Sequence, residues 1–124
     1  MPDLDDTDRR LLRVLQRDAT LSTQELAERV GLSASPAWRR VRRMTEEGVI
    51  AAQVVLVPPR ALGLSALAYV QVSLLDHREE TIAAFDRFVQ AEDQVVECAT
   101  ITGASDYLLK IVAEDAEGLE RFLM

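Results

Sequence analysis

One cysteine and one histidine in 124 residues exclude several chemistries at the outset. With Cys98 alone there is no intrachain disulfide, and with His77 as the sole imidazole no Cys/His cluster can assemble into a metal site. Within the run VVECATIT, Cys98 reads as a small strand residue rather than a nucleophile. His77, between Asp76 and Arg78, reads as a solvated turn residue. No stretch approaches the roughly 18 to 20 uninterrupted apolar residues that a membrane span needs. The acidic opening MPDLDDTDRR is unlike a signal peptide, so the expected compartment is the cytoplasm. No residue pattern requires a cofactor.

Positive charge is also scarce: fourteen Lys and Arg against twenty-one Asp and Glu give a net charge of −7. Residues 1–50 balance nine arginines against nine acids, whereas residues 51–124 set five basic residues against twelve acidic ones, so the whole excess lies in the second part. Arg39, Arg40, Arg42 and Arg43 crowd into the single stretch SPAWRRVRRM. A local basic patch of this kind is an electrostatic footprint for nucleic acid that the net charge hides.

A hydrophobic fraction of 48% with 28% charged residues suits a soluble globular protein. At this length the chain makes one domain or two small ones. Small lobes bury a limited share of their surface and gain stability from a partner subunit, so an oligomer is expected.

DDTDRRLLRVLQR places Leu11, Leu12 and Leu15 at helical spacing, behind Asp5, Asp6 and Asp8, whose carboxylates favour the positive helix end. This pattern predicts a first helix over about 6–17. In LSTQELAERVG, Ser22 and Glu25 make a capping box, Leu21 can staple onto Leu26, and Gly31 supplies a left-handed stop. A second helix over 23–30 is predicted. The turn Gly31 to Ser33 then has the length of a helix-turn-helix rather than of a generic hairpin. Ser33 or Ser35 caps the third helix, and Pro36 is acceptable in its first turn.

On that third helix Ala37, Val41 and Met44 share the inward side. Ser35, Arg39, Arg42, Arg43 and Glu46 are assigned to the outward side, with Arg40 and Trp38 flanking the apolar stripe. Trp38 either gives apolar contact at a groove edge or packs into the helical core. Guanidinium forks pair bidentately with guanine O6/N7 and clamp phosphates, so this helix is expected to enter the major groove of double-stranded DNA. The contact residues predicted are Ser35, Trp38, Arg39, Arg40, Arg42 and Arg43. The bland explanation is a solvated charged face in which Glu46 and Glu47 neutralise Arg42 and Arg43 one turn away. The short turn, the caps and the arginine placement together favour DNA.

Gly48 ends the helix, and the β-branched run Val49 to Val57, stopped by Pro58 and Pro59, is expected to be a winged extension or a linker strand. Beyond PRALG, LSALAYVQVSLL reads as a strand with Ala66, Ala68, Val70, Val72 and Leu74 on one side. REETIAAFDRFVQAE carries Ile82, Phe85, Phe88 and Val89 at helical spacing. VVECATITG and DYLLKIVAE are strands joined by the turn Gly103–Asp106, and DAEGLERFLM starts another helix. The order β-α-β-β-α is one strand short of a ferredoxin-like unit. Strands apolar on both faces imply a second sheet stacked on the first, hence a dimer through this domain.

The fold class expected is α+β: a winged-helix-like helix-turn-helix domain (1–50), a hinge strand and linker (51–63), and a ferredoxin-like ligand-sensing and oligomerisation domain (64–124). LDDTDRRLLRVLQRDATLSTQELAERVGLS, SPAWRRVRRMTEEGVI and TGASDYLLKIV, in this order, resemble the opening helices, the recognition helix and the G-x-x-D-Y-L-L-K signature of the Lrp/AsnC family, the feast/famine regulators. The resemblance covers essentially the whole chain. It implies a transcriptional regulator that dimerises through sheet faces, assembles further as four dimers, and takes an amino acid or similar small effector near the signature turn. Carried over residue by residue, it makes Gly103, Ala104, Ser105 and Asp106 effector contacts, the turn N–H groups holding a carboxylate and Asp106 an ammonium. The competing reading is a plain hairpin turn. Family members usually continue past the position of Met124 with a fourth strand, so the last strand is expected to be missing, and half of the effector pocket with it.

Two other functions fit less well. Some relatives of this architecture resemble sirohaem decarboxylases, but such chemistry wants acid–base groups gathered in a pocket, and one histidine offers few. An architectural protein that coats DNA regardless of sequence would show salt-dependent, sequence-insensitive affinity.

Overall fold

The computed structural model describes residues 2–124 and divides the chain into two compact units, Met1–Val55 and Leu56–Met124. The first consists of three helices: α1 (Asp6–Leu15), α2 (Thr23–Val30) and α3 (Ala34–Glu46). Asp5 caps α1 through a capping box with Asp8, and Ser22 caps α2 through one with Glu25. Each box satisfies N–H groups that a helix start leaves without intrahelical partners. Gly31 closes α2 in the left-handed region at φ 73°, where a Cβ is disfavoured, and Leu32 N–H donates back to Ala27 O at 2.9 Å. Leu11, Leu26, Ala27, Val30, Ala37 and Met44 form the buried centre, and Val41, Val49 and Ile50 pack around it. Ala37, Val41 and Met44 therefore face inward as their spacing predicts.

Several local expectations need correction. The first helix stops at Leu15, short of 17, because Asp18 Oδ1 accepts from the N–H and hydroxyl of Thr20 and turns the chain. Ser33 is the N-cap of α3 but its hydroxyl makes no capping bond, and Ser35 lies inside the first turn rather than at the cap. The largest miss is the strand over Val49–Val57. Val49 and Ile50 instead fold back, both N–H groups donating to Met44 O, and residues 51–58 form neither helix nor strand. β-branched residues favour extended backbone, but a strand exists only with a ladder partner, and neither unit supplies one here.

In the second unit a short 3₁₀ turn (Pro59–Leu62) leads into β1 (Ala66–Val72), α4 (Glu79–Ala91), β2 (Val95–Thr100), β3 (Tyr107–Ala113) and α5 (Ala116–Leu123). The sheet order is β1-β3-β2, with β3 antiparallel to both neighbours. That is the split βαβ arrangement expected, in three strands. Register places Ala68, Val70 and Val72 opposite Ile111, Leu109 and Tyr107. The helices cover this face: Phe85 of α4 lies 4.5 Å from Tyr107, ring centre to ring centre, and Leu109 and Ile111 are buried. Alternation sends Leu67 and Tyr69 to the opposite face, where both are more than half exposed. Asp115 caps α5, accepting from Gly118 N–H at 2.7 Å.

Candidate nucleic-acid interface and effector turn

The four arginines of α3 fall into two pairs with different surroundings. Arg40 and Arg43 turn toward α1. Arg40 Nη1 donates to Asp5 at 2.8 Å and to Asp8 Oδ1 at 3.0 Å, and Arg43 Nη2 donates to Asp8 Oδ2. Asp8 also accepts the Asp5 N–H, and at 1% exposure it is the one buried charged side chain among the described residues. The outward assignment of Arg43 is thus corrected. Helical angle alone leaves it toward solvent, but the buried carboxylate on α1 draws it inward, since a buried charge needs a partner. The Asp8 N–H and the Arg40 guanidinium hold the Asp5 carboxyl at about 2, and the two acids in turn raise Arg40.

Arg39 and Arg42 are exposed. Arg42 Nε donates to Glu46 at 3.0 Å, the partial neutralisation that the spacing suggests, and its guanidinium carbon sits 5.0 Å from the centre of the Trp38 ring. Trp38 is 49% exposed and also lines a small cavity with Leu15, Leu21, Leu26 and Val41. Of the two roles left open for it, packing is partly met, and the exposed part of the ring lies against the Arg42 guanidinium. Among the described residues Arg39 has no ion-pair partner. With Pro36, Arg40 and Arg43 it lines an open cleft of about 340 Å³. Ser35 is exposed in the first turn of α3. Of the six residues predicted for DNA, Ser35, Trp38, Arg39 and Arg42 are exposed on α3, while Arg40 and Arg43 are half-buried against α1.

The turn Gly103–Asp106 joins β2 to β3, with Gly103 at φ 114°. Asp106 N–H donates to Val72 O and Asp106 O accepts from Ile101 N–H, so the turn is stitched to both neighbouring strands. Its carboxylate faces the β1–α4 loop: Oδ2 accepts Leu74 N–H at 2.8 Å, and Oδ1 lies 2.9 Å from His77 Nε2. The pair raises the His77 imidazole and lowers the Asp106 carboxyl, the hydrogen bond between them being the main cause in each case. His77 is a solvated loop residue, as its flanks predict, and also the partner of the signature aspartate. Ser105 Oγ approaches Gln71 Oε1 at 3.5 Å, while Gly103 and Ala104 are exposed. Asp76 ends the loop by accepting from Arg78 N–H and the Thr81 hydroxyl at the start of α4.

Three helices, the first two capped, with a short turn ahead of an arginine-bearing third helix, followed by a small βαββα sheet unit, define a DNA-binding regulator with a separate sensing domain. The comparisons agree. The family model described as "Winged helix-turn-helix DNA-binding" matches residues 4–51, and "Lrp/AsnC ligand binding domain" matches residues 67–124. The transcriptional regulator AzlB of Bacillus subtilis (strain 168) is 38% identical over 121 residues, covering 98% of this chain and 77% of that protein. Among solved structures, an AsnC family transcriptional regulator from Agrobacterium tumefaciens superposes with a TM-score of 0.92 at 37% identity, over 97% of this chain and 78% of the other. A transcriptional regulator from Neisseria meningitidis, solved as its L-Met complex, gives 0.94 at 32% identity, over 98% and 79%. The chain belongs to the Lrp/AsnC family of transcriptional regulators, and the enzyme reading falls away with that membership. Among the described residues no helix is long and apolar enough to cross a membrane.

Proposed function

We propose that this chain is a sequence-specific, cytoplasmic regulator whose α3 enters the major groove and whose second unit responds to an amino acid or related small molecule. Residues 1–50 are the DNA-binding part, 51–63 the hinge and 64–124 the sensing and assembly part. Ser35, Trp38, Arg39, Arg40, Arg42 and Arg43 carry the DNA contacts. The observation that carries this reading is the exposed Arg39 and Arg42 on a helix whose opposite side is packed into a three-helix core. The family's G-x-x-D-Y-L-L-K turn supports Gly103, Ala104, Ser105 and Asp106 as effector contacts. Asp106 already holds Leu74 N–H and His77, so an effector ammonium reaches it by sharing or displacing the imidazole. The exposed Leu67 and Tyr69 support a homodimer packed through the open sheet face, two dimer-related α3 helices then matching a two-fold DNA site. Four such dimers make the larger assembly.

The test is fluorescence anisotropy with a labelled duplex from upstream of the chain's own gene against a scrambled duplex, at two salt concentrations and with or without L-methionine and other amino acids. Tighter upstream binding that persists at the higher salt, and changes with one amino acid, is the expected result. Equal binding to both duplexes, abolished by salt, makes the protein an architectural one.

A further inference from the structure

Asp8 and Asp5 do more than start α1. Asp8 is the centre of a cluster in which one carboxylate meets three donors: Asp5 N–H, Arg40 Nη1 and Arg43 Nη2. Asp5 adds a second carboxylate to Arg40. Two of the four positive charges of α3 are thus matched by two negative charges at the start of α1, Asp8 buried and its neighbour Asp5 exposed. Pulling Arg43 off Asp8 to follow a phosphate would take one of its two arginines from a carboxylate that is 1% exposed, which is costlier than leaving an exposed pair. Arg43 also has its Nε buried without a hydrogen-bond partner, so its guanidinium is held by the ion pair and not by a full set of acceptors.

We infer that Asp8, seconded by Asp5, is a positioning residue for DNA recognition: it fixes Arg40 and Arg43 in orientation and cancels part of their charge, lowering non-specific attraction while preserving directed contact. This rests on the reading of α3 as the DNA-contacting helix. In the resulting division of labour Arg39 and Arg42 supply mobile charge. Arg40 and Arg43 offer their remaining N–H groups along fixed directions into the cleft they share with Pro36 and Arg39. A guanidinium held in place discriminates between bases better than a free one, because less freedom is lost on contact and fewer alternative partners are in reach.

The cluster is tested with the full chain carrying Asp8→Asn or Asp5→Asn. Affinity for the upstream and scrambled duplexes is measured across a salt series, alongside a thermal melt. Asn caps a helix about as well as Asp, so Asp5→Asn removes charge while keeping the helix start, and it decides the matter even where Asp8→Asn does not fold. Each arginine set free adds about one phosphate contact, steepening the slope of log affinity against log salt by about 0.9. The expected result is a slope steeper by about 1 for Asp8→Asn, where Arg43 loses its one acid, and by a smaller amount for Asp5→Asn, where Arg40 keeps Asp8, with tighter binding to the scrambled duplex at low salt. The upstream-to-scrambled affinity ratio falls by about fivefold or more, the low end of what one bidentate base contact confers. Unchanged slopes, with both affinities falling in parallel to the melting temperature, make the two acids packing residues only and overturn the proposal. A wild-type chain that binds neither duplex overturns the DNA reading beneath it as well.

Discussion

The two units solve the burial problem differently. The first closes on itself: each of its three helices contributes at least one fully inward side chain to a shared centre, and its one buried charge is met by two arginines. In the second, the buried apolar residues all belong to the central strand, Leu109, Ile111, Val112 and Ala113, while neither α4 nor α5 buries a residue completely. A core confined to one strand is thin for its size, and the sheet presents Leu67, Tyr69 and Val96 to solvent. The unit that touches DNA is self-sufficient, and the unit proposed to sense and assemble is the one with apolar surface to spare.

The contrast can be broken at its strongest point first. Leu11→Ala empties a site that is 0% exposed and should cost about 2–5 kcal/mol in chemical denaturation. The same truncation at Leu67, 53% exposed, should change folding stability by about 0.5 kcal/mol or less, and any loss should appear as dissociation in sedimentation. Equal costs at the two sites would erase the difference between the units. Next in size, Arg39→Ala removes the one α3 cation without an acidic partner among the described residues and should weaken upstream-duplex binding by about 1–3 kcal/mol in anisotropy titrations, with helicity unchanged by circular dichroism. Gly31→Ala forces a Cβ into the left-handed region and should cost about 1 kcal/mol, read as a lower melting temperature of the first unit.

The smallest effect sharpens the second unit. His77 is raised and Asp106 lowered in the folded state, so their signs run opposite ways. The histidine's contribution is complete below its unfolded value near 6.5 and fades as pH rises through the raised one; the aspartate's is complete above 3.8 and fades as pH falls. The latch between the turn and the β1–α4 loop is therefore strongest in mildly acid solution. An NMR titration should place His77 above 6.5 in the native chain and return it toward that value in Asp106→Asn. A His77 that titrates identically in both leaves the pair without consequence.

What could be read from the sequence was local. Caps, the left-handed glycine and the three-residue turn are written within a few positions of the structure they specify, and α2 emerges at the predicted residues. The order of the second unit's elements was equally plain from its periodicities. What could not be read depends on distant partners. Arg43 meets an acid 35 positions away and His77 meets one 29 away, and no helical wheel contains that information. The D-x-x-D spacing of Asp5 and Asp8 carried a signal for a capping box, hidden because the run of acids is equally well explained by the helix dipole. The strand expected over Val49–Val57 is absent because propensity favours a conformation, but only a neighbour makes it a strand.

Trp38 is the chain's sole tryptophan, and it lies half exposed on α3 beneath the Arg42 guanidinium. The protein therefore carries one native fluorophore, and it is on the helix proposed to meet DNA. A duplex that lifts Arg42 from the indole changes its emission directly. The second unit carries no tryptophan, so a change in that same signal on adding an amino acid reports on the first unit, and the coupling proposed between sensing and recognition can be followed without a label.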